Sequence, residues 1–304
     1  MEIRVDQTKP QTWERLTRGG AWQQHWAYGA ACEALGSRVL RFEFRDGAKI
    51  TGVAQAIHRR VLGCFDAVVC TRGPVWSEGV GAAHRSEVLG ALRKRLPFGR
   101  LSGFFTTPDA GEEERPVLAS ARLAQVMTPY ATATVDLTRP LEDLRAAMHQ
   151  KWRNRLVVAE GAGLRIGRAD KHPRLYHWLL EAETRQQKAK RYQALPTALV
   201  PAWQKAGGGL RVFTATHEGE IVAAMLFLIH GARATYHIGW SDPTGKQLSA
   251  HNLLLWSAIR KLKASHLAEL DLGGLNTEDI PGIARFKLGS GAKVKTLCGT
   301  WFGR

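Results

Sequence analysis

The sequence predicts an α+β protein made of two similar halves, each with a mixed β-sheet flanked by helices. Three observations support this fold class. The chain has 304 residues, enough for two domains of about 150 residues each. Two separated segments repeat the same order of strands and helix. Hydrophobic residues make up 44% and charged residues 23%, as in globular chains that bury a core.

A β-hairpin begins each repeat. Residues 38–58 read RVLRFEFRDGAKITGVAQAIH, with two β-rich runs around Asp46-Gly47. Residues 210–230 read LRVFTATHEGEIVAAMLFLIH and turn at Glu218-Gly219. A polar residue followed by Gly between such runs indicates a tight turn, because Gly adopts positive φ without steric cost.

An amphipathic helix follows each hairpin. AHRSEVLGALRKRL begins at Ala83 and AHNLLLWSAIRKLK at Ala250. In both, apolar residues recur at steps of three and four, and basic residues in the last turn favour the helix dipole. A strand is expected after each helix, at 99–105 and 266–272. Matching residues in a matching order indicate a duplication.

This shared order resembles the core of the acetyltransferase-like fold. The resemblance implies two tandem acetyltransferase-like (GNAT-type) domains, one at 1–130 and one at 131–304. Residues 140–159, with the sequence PLEDLRAAMHQKWRNRLVVA, predict a strongly basic helix at the start of the second domain. Residues 171–206 predict a helical stretch that Pro196 interrupts, since proline lacks the backbone donor of a helix interior.

The C-terminal stretch resembles the ending of the Fem family. From Leu270 it reads LDLGGLNTEDIPGIARFKLGSGAKVKTLCGTWFGR: a strand into Gly-Gly, a loop, Phe-Lys, a glycine turn and a last strand. Residues 71–74 (TRGP) and 151–155 (KWRNR) resemble two further Fem segments, so the resemblance covers nearly the whole chain. It implies an aminoacyltransferase that moves an amino acid from charged tRNA to an amine, forming an amide. The implied acceptor is a peptidoglycan precursor or a peptide.

The Fem resemblance also implies site residues. It puts the lysine of the Phe286-Lys287 pair at the phosphates of donor or acceptor. The residues implied to bind a phosphorylated or peptide-like acceptor are Arg72, Lys190, Arg191, Tyr192 and Phe286. The residues implied to contact tRNA are Lys151, Arg153 and Arg155. These last three alternate along one helix and spread around its axis, so at least one of them is expected to face solvent.

An attacking amine must also lose a proton. The candidates for the general base are Asp271 at a strand end, His237 and His251. Each has a structural alternative: Asp271 as a loop cap, His237 as a core residue and His251 as a helix-start residue. No Ser-His-Asp or paired-carboxylate pattern is readable, which argues against hydrolase chemistry.

Two alternatives to a tRNA donor stay open. The first is an acyl-coenzyme A-dependent N-acyltransferase, which would normally hold pyrophosphate on a glycine-rich loop before a helix. The equivalent segment here, DPTGKQLSAH at 242–251, lacks that glycine pattern, and WSEGVGAAH at 76–84 lacks the preceding Arg or Gln. The second is a catalytically silent RNA-binding module, which would bind tRNA in a salt-dependent way and form no product.

Charge and composition limit the partners and the compartment. With 43 Lys and Arg against 27 Asp and Glu, the formal charge is +16, which favours polyanions such as tRNA and contact with an anionic membrane surface. The longest apolar run, Ile221–Ile229, is too short to span a bilayer. The first residues lack a signal-peptide pattern, so a cytoplasmic protein is expected. The four cysteines are scattered, and neither a metal nor a cofactor is predicted.

Overall fold

The computed structural model describes residues 1–99, 101–190, 195–276 and 281–304. They form two compact units. The first contains residues 1–131, 205–207 and 295–304, and the second contains residues 132–204 and 208–294. The last ten residues therefore join the first unit, although the sequence places them in the second domain. The division into domains 1–130 and 131–304 otherwise stays a prediction.

Each unit is built from both helices and strands. Up to residue 131 these are β1 (Glu2–Val5), α1 (Pro10–Leu16), α2 (Trp26–Ala34), β2 (Arg38–Asp46), β3 (Lys49–Val61), β4 (Phe65–Thr71), β5 (Val75–Trp76), α3 (Ala82–Lys94), β6 (Ser102–Thr107), α4 (Arg115–Ser120) and β7 (Ala124–Met127). The rest are β8 (Ala131–Asp136), α5 (Leu141–Ala146), α6 (Gln150–Gly161), β9 (Arg165–Arg168), α7 (His177–Lys190), α8 (Leu199–Lys205), β10 (Gly209–His217), β11 (Glu220–His230), β12 (Arg233–Ser241), α9 (Pro243–Gln247), α10 (Ala250–Ala264), β13 (Glu269–Gly274), α11 (Pro281–Gly289), β14 (Lys293–Thr296) and β15 (Thr300–Gly303).

The sheet of the first unit has the order β1-β2-β3-β4-β6-β15-β7, with β5 paired to β3. Strands β2, β3 and β4 are antiparallel, whereas β4 and β6 are parallel and are joined through α3. Leu40, Phe42 and Phe44 alternate along β2 and are at most 2% exposed. They pack with Val88 and Leu92 of α3 in one core. Alternation on the strand and helical spacing on α3 thus build the first core.

The sheet of the second unit has the order β14-β8-β13-β12-β11-β10-β9. Its β10–β11 hairpin, its third strand β12, its helix α10 and the parallel strand β13 repeat the arrangement of the first unit. Leu254, Ile259 and Leu262 of α10 are at most 1% exposed and pack on this sheet. The predicted α+β fold with two mixed sheets is therefore confirmed.

Both predicted hairpin turns contain residues with positive φ. Gly47 has φ of 55°, and Glu218 and Gly219 have φ of 51° and 92°. The left-handed region costs an ordinary residue free energy that Gly avoids. The polar-Gly pairs therefore fix where both hairpins turn.

The basic segment 140–159 is two helices, not the single helix that the sequence predicts. The chain leaves α5 after Ala146, and His149 is extended with φ of −60° and ψ of 144°. The N–H of His149 donates to the carbonyl of Gly289 at 3.0 Å, a contact that continued helix would not allow. The interruption near Pro196 agrees with the sequence, since α7 ends at Lys190 and α8 begins at Leu199.

Within the described residues, the helices are all too short or too polar to cross a bilayer.

Candidate active site

A polar cavity of about 410 Å³ lies in the second unit, where β12 leads through α9 into α10. The side chains and backbone that line it are those of Arg155, Ser241, Gly245, Lys246, Gln247, Ser249, His251 and Asn252. Its volume suits a small ligand or the phosphate-bearing end of a larger one. Arg155, Lys246 and the N-terminus of α10 all favour the binding of an anion there.

Local sequence determines the shape of this cavity. The Asp242 carboxylate accepts a hydrogen bond from the N–H of Gly245 at 2.7 Å and so begins the short helix α9. A Cβ on Gly245 would lie 2.2 Å from the carbonyl oxygen of Val222 and 2.6 Å from Oγ of Ser241. Only glycine therefore lets α9 lie this close to the neighbouring strand.

The start of α10 forms one wall of the cavity. Ser249, the residue before the helix, has φ of 54°, a left-handed conformation that is strained for a serine. The carbonyl of Ser249 accepts from the N–H of Asn252 at 2.9 Å, which closes the first turn. The N–H groups of Ala250 and His251 precede this bond and have no acceptor in the preceding turn of the helix, so they suit an anion in the cavity.

Helix α6 adds a basic surface to the cavity. Trp152, Leu156 and Ala159 are buried at helical spacing, and the exposed Lys151 and Arg155 lie one turn apart on another face. Arg155 lines the cavity. The positive charge of the cavity therefore extends along this helix.

Arg153 has a different environment. Its guanidinium donates to Oε1 of Gln150 at 2.6 Å and to the carbonyl of Ala146 at 3.4 Å. Of the three cations predicted to contact tRNA, Lys151 and Arg155 share a face of α6. Arg153 is instead hydrogen-bonded to nearby residues of α5 and α6. A role in tRNA binding stays a prediction for all three.

His251 reaches the cavity from the first turn of α10. Its Nε2 lies 2.9 Å from the carbonyl oxygen of Trp240. Since a carbonyl can only accept, Nε2 carries the proton in the neutral ring and Nδ1 is the basic nitrogen. Burial lowers the pKa of His251 below its ordinary value, so the ring is neutral at pH 7. The neutral ring can accept a proton at Nδ1, and its role as a general base stays a prediction.

Lys287 lies on α11 near this wall. The neighbouring Phe286 ring lies 6.2 Å from the ring of His251 and 5.9 Å from the ring of Trp152, measured between centroids. The Lys287 side chain is buried, and its Nζ donates to the carbonyl of Gly274 at 2.7 Å. Burial lowers the pKa of Lys287 to about 8, and the nearby Asp271 charge opposes that shift. At pH 7 it is a largely buried cation.

Asp271 shapes the loop on which Lys287 rests. Its Oδ1 accepts from the N–H of Gly273 at 2.7 Å and from the hydroxyl of Thr132 at 2.5 Å. Gly273 has φ of 79°, and Lys287 donates to the next residue along the chain. The structure therefore brings two predicted residues, Asp271 and Lys287, together, with Asp271 holding a turn. Its role as a base stays a prediction.

His237 occupies the extra position of a β-bulge. On β12, Tyr236 pairs with Phe227 and Ile238 pairs with Leu226, which leaves His237 between the two pairs. Burial lowers the pKa of His237 to about 4, so it is neutral at pH 7. Its assignment as a general base stays a prediction, since nothing places it among the residues that line the cavity.

Arg72 is buried in the first unit and already has an acidic partner. It is 4% exposed, and its Nη2 lies 2.7 Å from Oδ1 of Asp109. The same carboxylate lies 2.9 Å from Nζ of Lys295. Arg72 also has φ of 57° and precedes the cis bond between Gly73 and Pro74. These contacts indicate a structural ion pair, and a role in acceptor binding stays a prediction.

Three further residues predicted to bind the acceptor lie at the end of α7 or just after it. Arg191 and Tyr192 lie outside the described residues, and Lys190 is known only as the last residue of α7. Conversely, sequence reasoning missed Lys246, Gln247, Ser249 and Asn252. Their signal was the polar run before a predicted helix, which lacks the glycine pattern expected of a phosphate loop.

Comparisons with known proteins agree with this architecture. The family model described as "Acetyltransferase (GNAT) domain" matches residues 130–288, just over half of the chain. A search of curated protein sequences finds no match. The structure of FemX is 12% identical, with a TM-score of 0.84 over 99% of this chain and 97% of that one. The Fem resemblance is therefore confirmed at the level of the fold.

Two further solved structures share the fold over nearly their whole length. L-PGS from Bacillus licheniformis is 14% identical, with a TM-score of 0.56 over 97% of this chain and 91% of that one. A tandem GNAT protein from the clavulanic acid biosynthesis pathway is 12% identical, with a TM-score of 0.54 over 99% of this chain and 98% of that one. The chain is an acyltransferase of the GNAT fold and belongs to the acetyltransferase (GNAT) domain family.

Proposed function

We propose that this acyltransferase moves an aminoacyl group from charged tRNA to an amine and forms an amide. The main support for this proposal is the cavity at the start of α10. Arg155 of α6 lines the cavity, and the exposed Lys151 lies one turn away on the same face of α6. A small nucleotide needs only the cavity, whereas a polyanion would use the basic helix as well. The whole chain shares the fold of FemX, in agreement with the Fem resemblance of the sequence, which implies this donor.

The reaction needs no covalent enzyme intermediate, because the ester of charged tRNA is already activated. The acceptor nitrogen attacks the ester carbonyl carbon, a C–N bond forms, and the C–O bond to the terminal ribose breaks. The ammonium first loses one proton to solvent and becomes a neutral amine. Nδ1 of His251 would take the second proton, which the nitrogen loses as the C–N bond forms, and return it to the departing ribose oxygen. The protein thus acts mainly by positioning and proton transfer.

Lys287 would contribute a positive charge. A buried ammonium stabilises negative charge more strongly than an exposed one, because water screens it less. The oxygen it stabilises would be the carbonyl oxygen of the tetrahedral intermediate or a phosphate of the acceptor. A phosphorylated or peptide-like amine, such as a peptidoglycan precursor, is the acceptor class we propose.

A second candidate donor is acyl-coenzyme A, which the family description favours. Its pyrophosphate could lie against the same helix start, next to Lys246. The reaction would differ in its leaving group, since a C–S bond breaks and a thiol departs.

Mass spectrometry of a transfer reaction tests the proposed function. The protein is incubated with pooled charged tRNAs and a metabolite extract that supplies amines. We expect a new aminoacyl amide that disappears after RNase treatment. Lys287→Ala should lower its rate of formation by about a hundredfold or more, the usual cost of removing one group that stabilises an oxyanion.

Lys261→Ala is the matched control, because Lys261 is an exposed lysine at the far end of α10. Its rate should stay within about twofold of wild type, as for surface changes away from a site. Amide that forms only with added acyl-coenzyme A would make the second candidate correct. Equal rates for wild type and Lys287→Ala would remove Lys287 from the mechanism.

A further inference from the structure

The turn between β3 and β4 presents an unusual apolar tip. Leu62 is 94% exposed, and Val61 beside it is 45% exposed. Leu62 also has φ of 51°, a conformation that Gly or Asn would adopt at lower cost. Leu62 therefore contributes neither packing nor good turn geometry to the first unit. Adjoining exposed apolar side chains, rather than a single one, can mark a surface that binds a partner.

The apolar surface continues from the tip onto one face of the sheet. Val61 pairs with Phe65, and Val69, on the same face of β4 as Phe65, pairs with Phe105. Phe105 pairs in turn with Phe302, so these side chains share a face. The three rings cluster, with centroids 6.5 Å apart for Phe65 and Phe105 and 4.7 Å for Phe105 and Phe302. All three are only partly buried.

Leu101 extends this surface just before the start of β6. It is 53% exposed, and its carbonyl accepts from the N–H of Asp66 on β4 at 2.8 Å. We call Val61, Leu62, Phe65 and Leu101 the hairpin tip. Three of these side chains are exposed, and Phe65 is half-buried.

Contacts behind the hairpin tip hold it in place. Nε2 of His58 lies 2.7 Å from Oδ1 of Asp66 across the two strands. The His58 ring stacks on the ring of Phe98 with centroids 4.3 Å apart, and the Arg38 guanidinium lies 5.0 Å from the centre of that same ring. A tip supported in this way can present apolar side chains without collapsing onto its own sheet.

The charges around the hairpin tip are mainly positive. Arg59 and Arg60 precede it on β3, and both are exposed, with Arg59 donating to the hydroxyl of Ser37 at 3.2 Å. Lys94 and Arg95 lie exposed at the end of α3, just before the Phe98 that stacks on His58. The acid on β4, Asp66, already pairs with His58. Exposed leucine next to arginine suits an interface between water and lipid.

We propose that the hairpin tip docks the protein on an anionic membrane surface, with Leu62 entering the lipid interface and Arg59 and Arg60 contacting lipid phosphates. Leucine favours lipid over RNA, since a fully exposed apolar side chain gains nothing from a phosphate backbone. Docking here does not depend on which donor the acyl transfer uses. It would, however, bring the enzyme to an acceptor carried on lipid.

Fluorescence of a dye on Cys64 tests this proposal directly. Cys64 is exposed two residues from Leu62, whereas Cys32, Cys70 and Cys298 are buried, so the unmodified full chain can be labelled at the tip. An environment-sensitive dye should shift to shorter wavelength with vesicles of phosphatidylglycerol and phosphatidylcholine, and much less with phosphatidylcholine alone. Cosedimentation of unlabelled protein checks that the dye does not itself cause binding.

Two variants separate the apolar and charged contributions. Leu62→Ser should lower the partition coefficient by about tenfold, because one leucine leaves the interface. Arg59→Gln with Arg60→Gln should lower it by about thirtyfold at low salt, and by less at high salt. The controls are Leu35→Ser, at another exposed leucine, and Arg15→Gln with Arg18→Gln, at another exposed pair. Both controls should stay within about twofold of wild type.

Each contrary outcome overturns the proposal. Equal partition of Leu62→Ser and wild type would mean that Leu62 does not enter lipid, which contradicts the proposed docking. If only the arginine variant loses binding and RNA displaces the vesicles, the tip is an RNA contact instead. Absence of any shift with anionic vesicles would mean that the tip does not dock on membranes.

Discussion

Lys287 shows how burial changes the chemistry of a single residue. A solvated lysine holds its proton up to about pH 10. Here burial lowers the pKa of Lys287 to about 8. The charge of Asp271 opposes this shift, and the carbonyl of Gly274 accepts a hydrogen bond from the ammonium group. The side chain is therefore charged at pH 7 and loses that charge just above it. From the sequence, the same lysine could equally have been a solvated loop residue.

The lowered pKa of Lys287 predicts a specific dependence of stability on pH. Between about pH 8 and pH 10.5 the unfolded chain binds a proton at this lysine that the folded chain does not. The contribution of Lys287 to the free energy of unfolding therefore rises with pH in that window and is constant below it. Lys287→Met removes this group from both states. The free energy of unfolding of wild type, relative to Lys287→Met, should rise by up to roughly 3 kcal/mol across the window.

Urea unfolding of both proteins at several pH values measures this difference. The other lysines titrate in both proteins, so their contributions cancel. A difference that stays constant from pH 7 to pH 10.5 would show that Lys287 has an ordinary pKa in the folded state.

At the scale of elements, α6 and α10 together make the candidate site. Helix α10 supplies its N-terminus and His251, and α6 supplies Arg155 with Lys151 one turn away. The carbonyl of Trp152 on α6 accepts from Nδ2 of Asn252 on α10 at 3.4 Å. The cationic face of α6 is thereby fixed next to the cavity.

Removing two charges from α6 should therefore weaken tRNA binding. Lys151→Gln with Arg155→Gln is expected to reduce the slope of log affinity against log salt by nearly 2, because two fewer phosphates are neutralised. Filter binding or fluorescence anisotropy with charged tRNA at several salt concentrations gives that slope.

Arg260→Gln with Lys261→Gln is the control for this pair of substitutions. It removes the same charge from exposed positions at the other end of α10. If both double variants reduce the slope equally, net charge rather than the α6 face governs binding, and the cavity loses its assignment to tRNA.

Local signals explain why some elements were predictable. The hairpin turns depend on adjacent residues such as Glu218-Gly219, and α10 has a clear helical period. The break between α5 and α6 depends on the carbonyl of Gly289, far along the chain from His149. The cavity likewise joins Arg155 to a loop about ninety residues away, so no local pattern contains it.

At the scale of the whole molecule, duplication and charge were both readable from the sequence. The repeated order of strands and helix predicted two mixed sheets, and both are present. The sequence does not predict which sheet β15 joins, because the partners of this strand are far away along the chain. Trp301 pairs with Thr106 on one side and with Gln125 on the other. A strand of four residues contains too little pattern to indicate which sheet it joins.

The net charge of +16 belongs to the same scale. It attracts any polyanion from a distance and speeds association, but it selects no partner by itself. Selection must come from particular surfaces, such as the cavity at α10 for the donor. The donor is therefore the central question for the whole molecule.

A competition between two donors shows whether the protein uses charged tRNA or acyl-coenzyme A. Wild-type protein receives charged tRNA and the corresponding acyl-coenzyme A together, with acyl groups of different isotopic mass, and an amine extract. The mass of the amide then identifies the donor of each acyl group. We predict that the amide carries the isotope of the tRNA-borne group. An amide that carries the coenzyme A isotope would contradict the proposed function.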